Sequence, residues 1–254
     1  MRPNHLTVPP FLRLRPNRTA PFVVTCEHAR HALPSGIATV AADRAALRTH
    51  WGWDPGAWDL TRAIARLLGT GATGGRWSRL WIDLNRPEGD PTLARRDVEG
   101  HRLPWNHGID AKVLRRRFER VHVPYHDEID REIEHRLVRG VRPVLLAVHT
   151  YTPDWNGRAR PYEGGVLYDE HRGPAVRLAK ALRAIGFEVR YNEPYSGRRG
   201  LMYSIDRHGR AHGLPCLELE INQAMLERRG FTERIARAVA VGLTDIEEYT
   251  RESR

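Results

Sequence analysis

At 254 residues with 41% hydrophobic content, the chain is long enough to bury a sizeable core and sits near the upper end of what one domain holds. No stretch approaches the roughly 20 uncharged apolar residues of a membrane span, and the start, with Pro3, Pro9, Pro10 and Arg13, lacks the apolar core of a secretory signal, so a soluble cytoplasmic protein is expected. The formal charge of +10, from 41 Lys and Arg against 31 Asp and Glu, comes with no nucleic-acid-binding motif and no basic tail; it reads as a solvated basic surface whose field favours small anionic substrates, with neither nucleic acid nor membrane as partner.

In chain order, residues 1–20, rich in Pro and Arg, read as an irregular arm ahead of a single domain over 21–254. An apolar, β-rich run at 22–26 ends in Glu27 and His28. Ala57, Leu60, Ile64, Leu67 and Leu68 recur at helical spacing, and residues 71–75 read as a loop. Residues 80–82 read as a strand ending in Asp83, Asn85 and Arg86, and 111–138 as a charged helical stretch interrupted at Pro124. A run at 144–148 ends in His149, followed by a loop of turn formers and donors at 150–162. A helix is expected over 175–185, then a strand at 187–191 running into Asn192. Residues 217–221 alternate, which puts Glu218 and Glu220 on one face and Leu217 and Leu219 on the other. A last helix opens at Thr232 and turns Ile235, Val239 and Leu243 inward, to about Tyr249. Strands alternating with helices predict an α/β fold with a mostly parallel or mixed central sheet and helices on both faces. Cys26 and Cys216, in or beside apolar runs, are expected to be buried small hydrophobes and not a disulfide or a Cys-rich metal site.

Runs that end abruptly in polar residues place those residues at the carboxyl ends of strands, where α/β folds carry their sites. His28 and His149 would put two imidazoles at one sheet edge, and a hydrolytic zinc site adds a third ligand, which Glu27, Asp54 or Asp83 could supply. Each histidine alone is more often a satisfied structural residue, and Asp54 before Pro55 also suits a helix cap. Asn85 and Arg86 form a donor fork matched to a carboxylate, unless Arg86 only pairs with Asp83 or Glu88. Glu218 and Glu220 would be costly to bury unpaired, and one of them could move a proton between water and a leaving amine; pairing with arginines is the alternative. Arg160 lies in the loop after His149. Asn192 and Tyr195 follow another strand, where they could donate to a developing oxyanion.

Eight segments in this order, TCEHA (25–29), HWGWDPGA (50–57), SRLWIDLNR (78–86), VPYHDEID (123–130), AVHTYTPDWNGRARP (147–161), GVLYD (165–169), YNEPYSG (191–197) and LELEINQ (217–223), resemble the N-formylglutamate amidohydrolase family. The resemblance spans nearly the whole chain. It implies a phosphorylase/hydrolase-like α/β fold related to the zinc exopeptidases and aspartoacylases, and hydrolysis of an N-formyl or other short N-acyl amino acid such as N-formylglutamate. By analogy with those relatives, it implies His28, His149 and Asp54 (or Glu27) as ligands of a divalent metal such as Zn²⁺. It further implies Asn85 and Arg86, with Arg160, Asn192 and Tyr195, around a small anionic substrate, and Glu220 as general base with Arg86 polarising the scissile carbonyl. The exopeptidase-like relatives carry a Glu three residues after the first ligand, where this chain has His31. A peptidase or deacylase for longer substrates is the rival within the same chemistry, and a basic binding protein is the rival outside it.

Overall fold

A computed structural model describes residues 8–14 and 18–252 of the chain. Strands in the middle of a parallel sheet are covered on both faces and so must be apolar nearly throughout. Three segments meet that demand: β2 (Phe22–Cys26), β6 (Val144–Tyr151) and β11 (Cys216–Asn222), all buried at every position. They lie side by side in a seven-stranded sheet of order β1-β3-β2-β6-β11-β9-β10. The other members are β1 (Phe11–Arg13), β3 (Ala72–Gly75), β9 (Gly164–Leu167) and β10 (Val189–Tyr191). The β3-β2-β6-β11 block is parallel, β9 and β10 are parallel to each other, and the β1–β3 and β9–β11 pairs are antiparallel. The sheet is therefore mixed. Two short ribbons, β4 (Asp97–Val98) with β5 (His101–Arg102) and β7 (Asp154–Trp155) with β8 (Arg158–Ala159), stand outside it.

Alternation along the central strands assigns the two faces. Val24, Leu146, Val148, Leu217 and Leu219 pack with Ile64, Leu178, Leu182, Ile235 and Val239. These come from α2 (Ala57–Leu67), α5 (Arg172–Ala184) and α8 (Phe231–Glu252). Val23, Leu145, Ala147 and Cys216 pack on the opposite face with Tyr125, Ile129, Ile133 and Ile205. Those residues belong to α4 (Val123–Leu137) and α6 (Tyr203–His212). Three helices, α1 (Ala41–Arg48), α3 (Ala111–Arg117) and α7 (Gln223–Leu226), are peripheral. The chain leaves β2 through α2 to reach β3 on one side, then returns through α4 to β6 on the other. Consecutive crossovers on opposite faces open a crevice past the carboxyl ends of β2 and β6.

Four local expectations change. Residues 72–75 form a strand, because Gly74 and Gly75 admit neighbours that no other residue would: a Cβ at Gly74 would lie 2.6 Å from the Trp58 ring and one at Gly75 2.0 Å from the Glu27 carbonyl oxygen. Residues 80–82 form a turn instead of a strand, with Leu80 and Ile82 still buried. Beyond β3, the place at the sheet edge is taken by Phe11–Arg13, which gives the N-terminal stretch a strand; residues 1–7 and 15–17 of that stretch lie outside the described residues. Pro124 does not break its helix, since a π-turn over Phe118–His122 joins α3 to α4 and absorbs the missing amide donor. Both cysteines are buried and unbridged.

Candidate active site

Because β2, β6 and β11 are parallel and in register, the residues that end them converge. His149 lies opposite Glu220 across the β6–β11 ladder, while Glu27 and His28 follow directly on β2. Asp54 arrives from the turn before α2. Its side chain caps no helix, for the N-cap of α2 is Gly56 in the left-handed conformation. The three groups His28, Asp54 and His149 place ligand-type atoms within 4.8 Å of one another, all buried.

The orientation of the two imidazoles decides what this cluster can hold. His28 Nε2 lies 2.7 Å from Asp83 Oδ1, and His149 Nε2 lies 2.9 Å from Glu27 Oε2. An ionised carboxylate only accepts, so both rings carry a proton on Nε2. Their Nδ1 atoms then both face Asp54 Oδ2, at 3.3 Å from His28 and 2.8 Å from His149. Asp54 is itself an ionised acceptor, so positive charge must stand between it and the two Nδ1 atoms, either as ring protons or, with the rings neutral, as a cation shared by their lone pairs and the carboxylate. A carboxylate behind each ligating histidine is the arrangement that orients imidazoles on zinc. The donor set of two imidazoles and one carboxylate therefore fits a divalent metal with a position left for water.

Electrostatics agree. Glu27, Asp54, Asp83, Glu218 and Glu220 are all buried here, and Arg79 pairs with only two of them, reaching Asp54 at 3.4 Å and Asp83 at 3.3 Å. Burial opposes charge on His149, yet Glu218, Asp54 and Glu27 outweigh it and raise the ring's proton affinity well above the ordinary. That is a site hungry for positive charge. Burial likewise opposes ionisation of Glu27, but the bonds from His149 and Ser204 hold its carboxyl down at about 2. Glu27 also accepts from Tyr125 Oη at 2.9 Å and Ser204 Oγ at 2.8 Å, so it stands behind His149 and away from Asp54.

The two β11 carboxylates behave differently. Burial pushes Glu218 up to about 7; its Oε2 accepts from Asn85 Nδ2 at 3.3 Å and lies 3.6 Å from His149 Nε2. Burial raises Glu220 well above the carboxylate range, and its Oε2 has no hydrogen-bond partner among the described residues. An unpartnered buried carboxyl is expensive, and such groups gather where a proton must move.

Glu218 and Glu220, with His28, Asp54, Asp83 and His149, line a cavity of about 250 Å³ together with Arg86, Arg95, Thr150, Tyr195 and the aromatic rim of His50, Trp51 and Trp155. Among the described residues the Arg86 guanidinium bonds only to Thr92 Oγ1 and its neighbour's carbonyl, Asn85 O, and forms no ion pair. Asn85 lines the cavity as well, but its amide is engaged by Glu218 and by the Ser204 backbone amide, which donates to its Oδ1 at 2.8 Å. Arg160 is set back behind the lining, its guanidinium over the rings of Trp155 and Tyr195 and its Nη1 buried without a partner. Asn192 is not brought to the cavity. It holds a left-handed turn, with Oδ1 accepting from the Tyr168 and Gly197 amides. Tyr125, Ser204 and the roles of Asp83 and Glu27 behind the rings were not predicted; Tyr125 at least stands in a segment already singled out, whereas nothing in the sequence marks Ser204.

The profile of the family described as N-formylglutamate amidohydrolase matches residues 20–226, a span that contains all eight segments quoted above. Among solved structures, the gene product Atu2144 from Agrobacterium tumefaciens is similar over 96% of this chain and 97% of that one, at 27% identity and a TM-score of 0.85. The N-formylglutamate amidohydrolase of Ralstonia eutropha JMP134 shares the fold over 97% of this chain and 100% of that one, at 19% identity and a TM-score of 0.74. No curated protein matches the chain. The profile match over most of its length shows that the chain belongs to the N-formylglutamate amidohydrolase family and is an amidohydrolase acting on N-acyl amino acids.

Proposed function

We propose that this amidohydrolase depends on a divalent metal, Zn²⁺ being the ion its donor set suits, and removes a formyl or other short acyl group from an acidic amino acid, with N-formylglutamate as first candidate. The observation that supports it most is the convergence of His28 Nδ1, His149 Nδ1 and Asp54 Oδ2 beside the unpartnered Glu220. His28, His149 and Asp54 would hold the ion, which when bound supplies Lewis acidity toward water and the scissile carbonyl. Glu220 takes a proton from the attacking water and returns it to the departing amine, a task suited to a carboxyl whose proton affinity burial has raised. Arg86 receives a substrate carboxylate or polarises the scissile carbonyl, its guanidinium having no acid of its own among the described residues. Arg95, over the Trp51 ring, and Arg160 add positive charge around the same cavity, so a substrate with two carboxylates is favoured. Asn85 steadies Glu218 until substrate competes for its amide.

The aromatic rim of His50, Trp51 and Trp155 supports a second reading, in which the acyl group is larger than formyl. Formate release from N-formyl-L-glutamate by the unaltered protein and by His149→Ala, with bound metal measured in both, tests the first reading; equal rates or no metal would sink it. A panel of N-acetyl, N-aroyl and peptidyl glutamates separates the two, since the second predicts the highest kcat/KM outside the formyl compound.

A further inference from the structure

Residues 123–130 carry more polar chemistry than the core face of a helix requires, and the reaction proposed above uses little of it. His126 is fully buried, its Nε2 3.1 Å from the Leu84 carbonyl and its Nδ1 2.9 Å from Nε2 of His208 on α6. His208 Nδ1 lies 2.6 Å from Oδ1 of Asp130 on α4, and the same oxygen lies 3.1 Å from His212 Nε2. Four residues before His126, His122 places its Nε2 3.0 Å from the Arg86 carbonyl, with its ring 4.3 Å from the His126 ring.

Hydrogen-bond accounting fixes the protons. A carbonyl only accepts, so Nε2 of His122 and of His126 must donate. Asp130 is held below the usual carboxylate range, since the bonds from His208 and His212 outweigh its partial burial. It therefore accepts from His208 Nδ1, and one more proton must lie between His126 Nδ1 and His208 Nε2. The two rings thus share three protons and one positive charge.

The two carbonyls held in this way bracket the substrate-binding pair. The Leu84 carbonyl belongs to the peptide entering Asn85, and the Arg86 carbonyl to the peptide leaving for Pro87. Between them, the Asn85 amide donates to Asp83 Oδ1 at 2.9 Å. Peptide planes are rigid, so fixing both flanking planes fixes the direction in which the two side chains depart. None of His122, His126, Asp130 and His208 lines the cavity, so any influence on the reaction must pass through this backbone.

We propose that His126, backed by His208 and Asp130, acts together with His122 as a set of positioning residues that aim Arg86 and Asn85 at the substrate. The inference rests on Arg86 as the partner of substrate. A double-substitution cycle on N-formyl-L-glutamate tests it, using Arg86→Met, His126→Phe, the pair together, and His126→Gln, whose amide can still donate to Leu84. Arg86→Met should raise KM by about 30-fold or more, and His126→Phe by about 10-fold with a smaller change in kcat, given the usual cost of an unsatisfied buried carbonyl. The double variant should fall well short of the product of the two single effects, with only the Asn85 share of the His126 loss added to that of Arg86→Met, and His126→Gln should return KM to within about 3-fold of the parent, because the donor is restored. Additive effects, or an unchanged KM in folded His126→Phe, would overturn the proposal. An unchanged KM in Arg86→Met would instead remove the substrate role of Arg86 on which it stands. Two readouts need neither substrate nor a folded Phe variant. Imidazole NMR of the unaltered protein should count three N–H protons on the His126–His208 pair, and two would contradict the network. A crystal structure of His208→Gln should show the 84–86 backbone displaced, and an unmoved backbone would contradict positioning.

Discussion

The role proposed for His28 and His149 depends on what stands behind them. Glu27 and Asp83 fix the proton on each Nε2 and turn each Nδ1 toward Asp54, where the proposed cation would sit. Glu27→Gln and Asp83→Asn keep shape but not charge, and each should lower metal affinity or activity by about 10–100-fold, as measured by chelator competition and formate release. If Glu220 is the general base proposed above, Glu220→Gln should lower kcat by about 10²–10⁴-fold while bound metal and KM stay near the parent values, because no proposed ligand is lost. The histidines and the β11 glutamates were legible because each interrupts or ends an apolar run. Asp54 was less so, since Asp before Pro also describes a helix cap, and only the fold shows Gly56 in that place. Tyr125 and Ser204 reach Glu27 across 98 and 177 residues of chain, a separation at which local pattern carries no information.

At the scale of elements, β3 and α4 carry consequences of their own. Gly75 lies so close to the Glu27 carbonyl that Gly75→Ala must push β2 and β3 apart. It should cost about 1–3 kcal/mol or more in a urea titration, and should also weaken the proposed metal site, since Glu27 holds His149. Burial holds His122 on the helix down at about 4, against 6.5 for a free histidine, so the native ring stays neutral where the unfolded one binds a proton. Between these values the unfolded state carries the extra proton, so stability falls as pH drops from about 6.5 to about 4, by up to about 3 kcal/mol from this ring. Chemical denaturation at pH 7 and pH 4.5 should show a smaller acid loss for His122→Gln than for the parent. Helices and central strands were readable from period and burial. The turn at 80–82 and the strand at 72–75 were exchanged in the reading, because glycines chosen for close approach look like loop glycines, and a short apolar run looks the same whether an edge strand or a turn buries it.

For the molecule as a whole, the site follows from the order of connections. β2 and β6 are neighbours whose crossovers lie on opposite faces, so their carboxyl ends share a crevice that neither α2 nor α4 covers. The α/β class and a parallel or mixed sheet were legible from alternation of strand and helix, and the family from eight segments in order; which strand reverses was not, because the reversal at β9 depends on which edge remains open. No helix among the described residues is long and apolar enough to cross a membrane. The account turns on a cation held by His28, Asp54 and His149. Stripping the protein of metal and titrating Zn²⁺ back while following formate release from N-formyl-L-glutamate tests that claim directly. The rate should rise linearly to a plateau at one equivalent per chain and should not rise in Asp54→Asn; full activity in the stripped protein would contradict it.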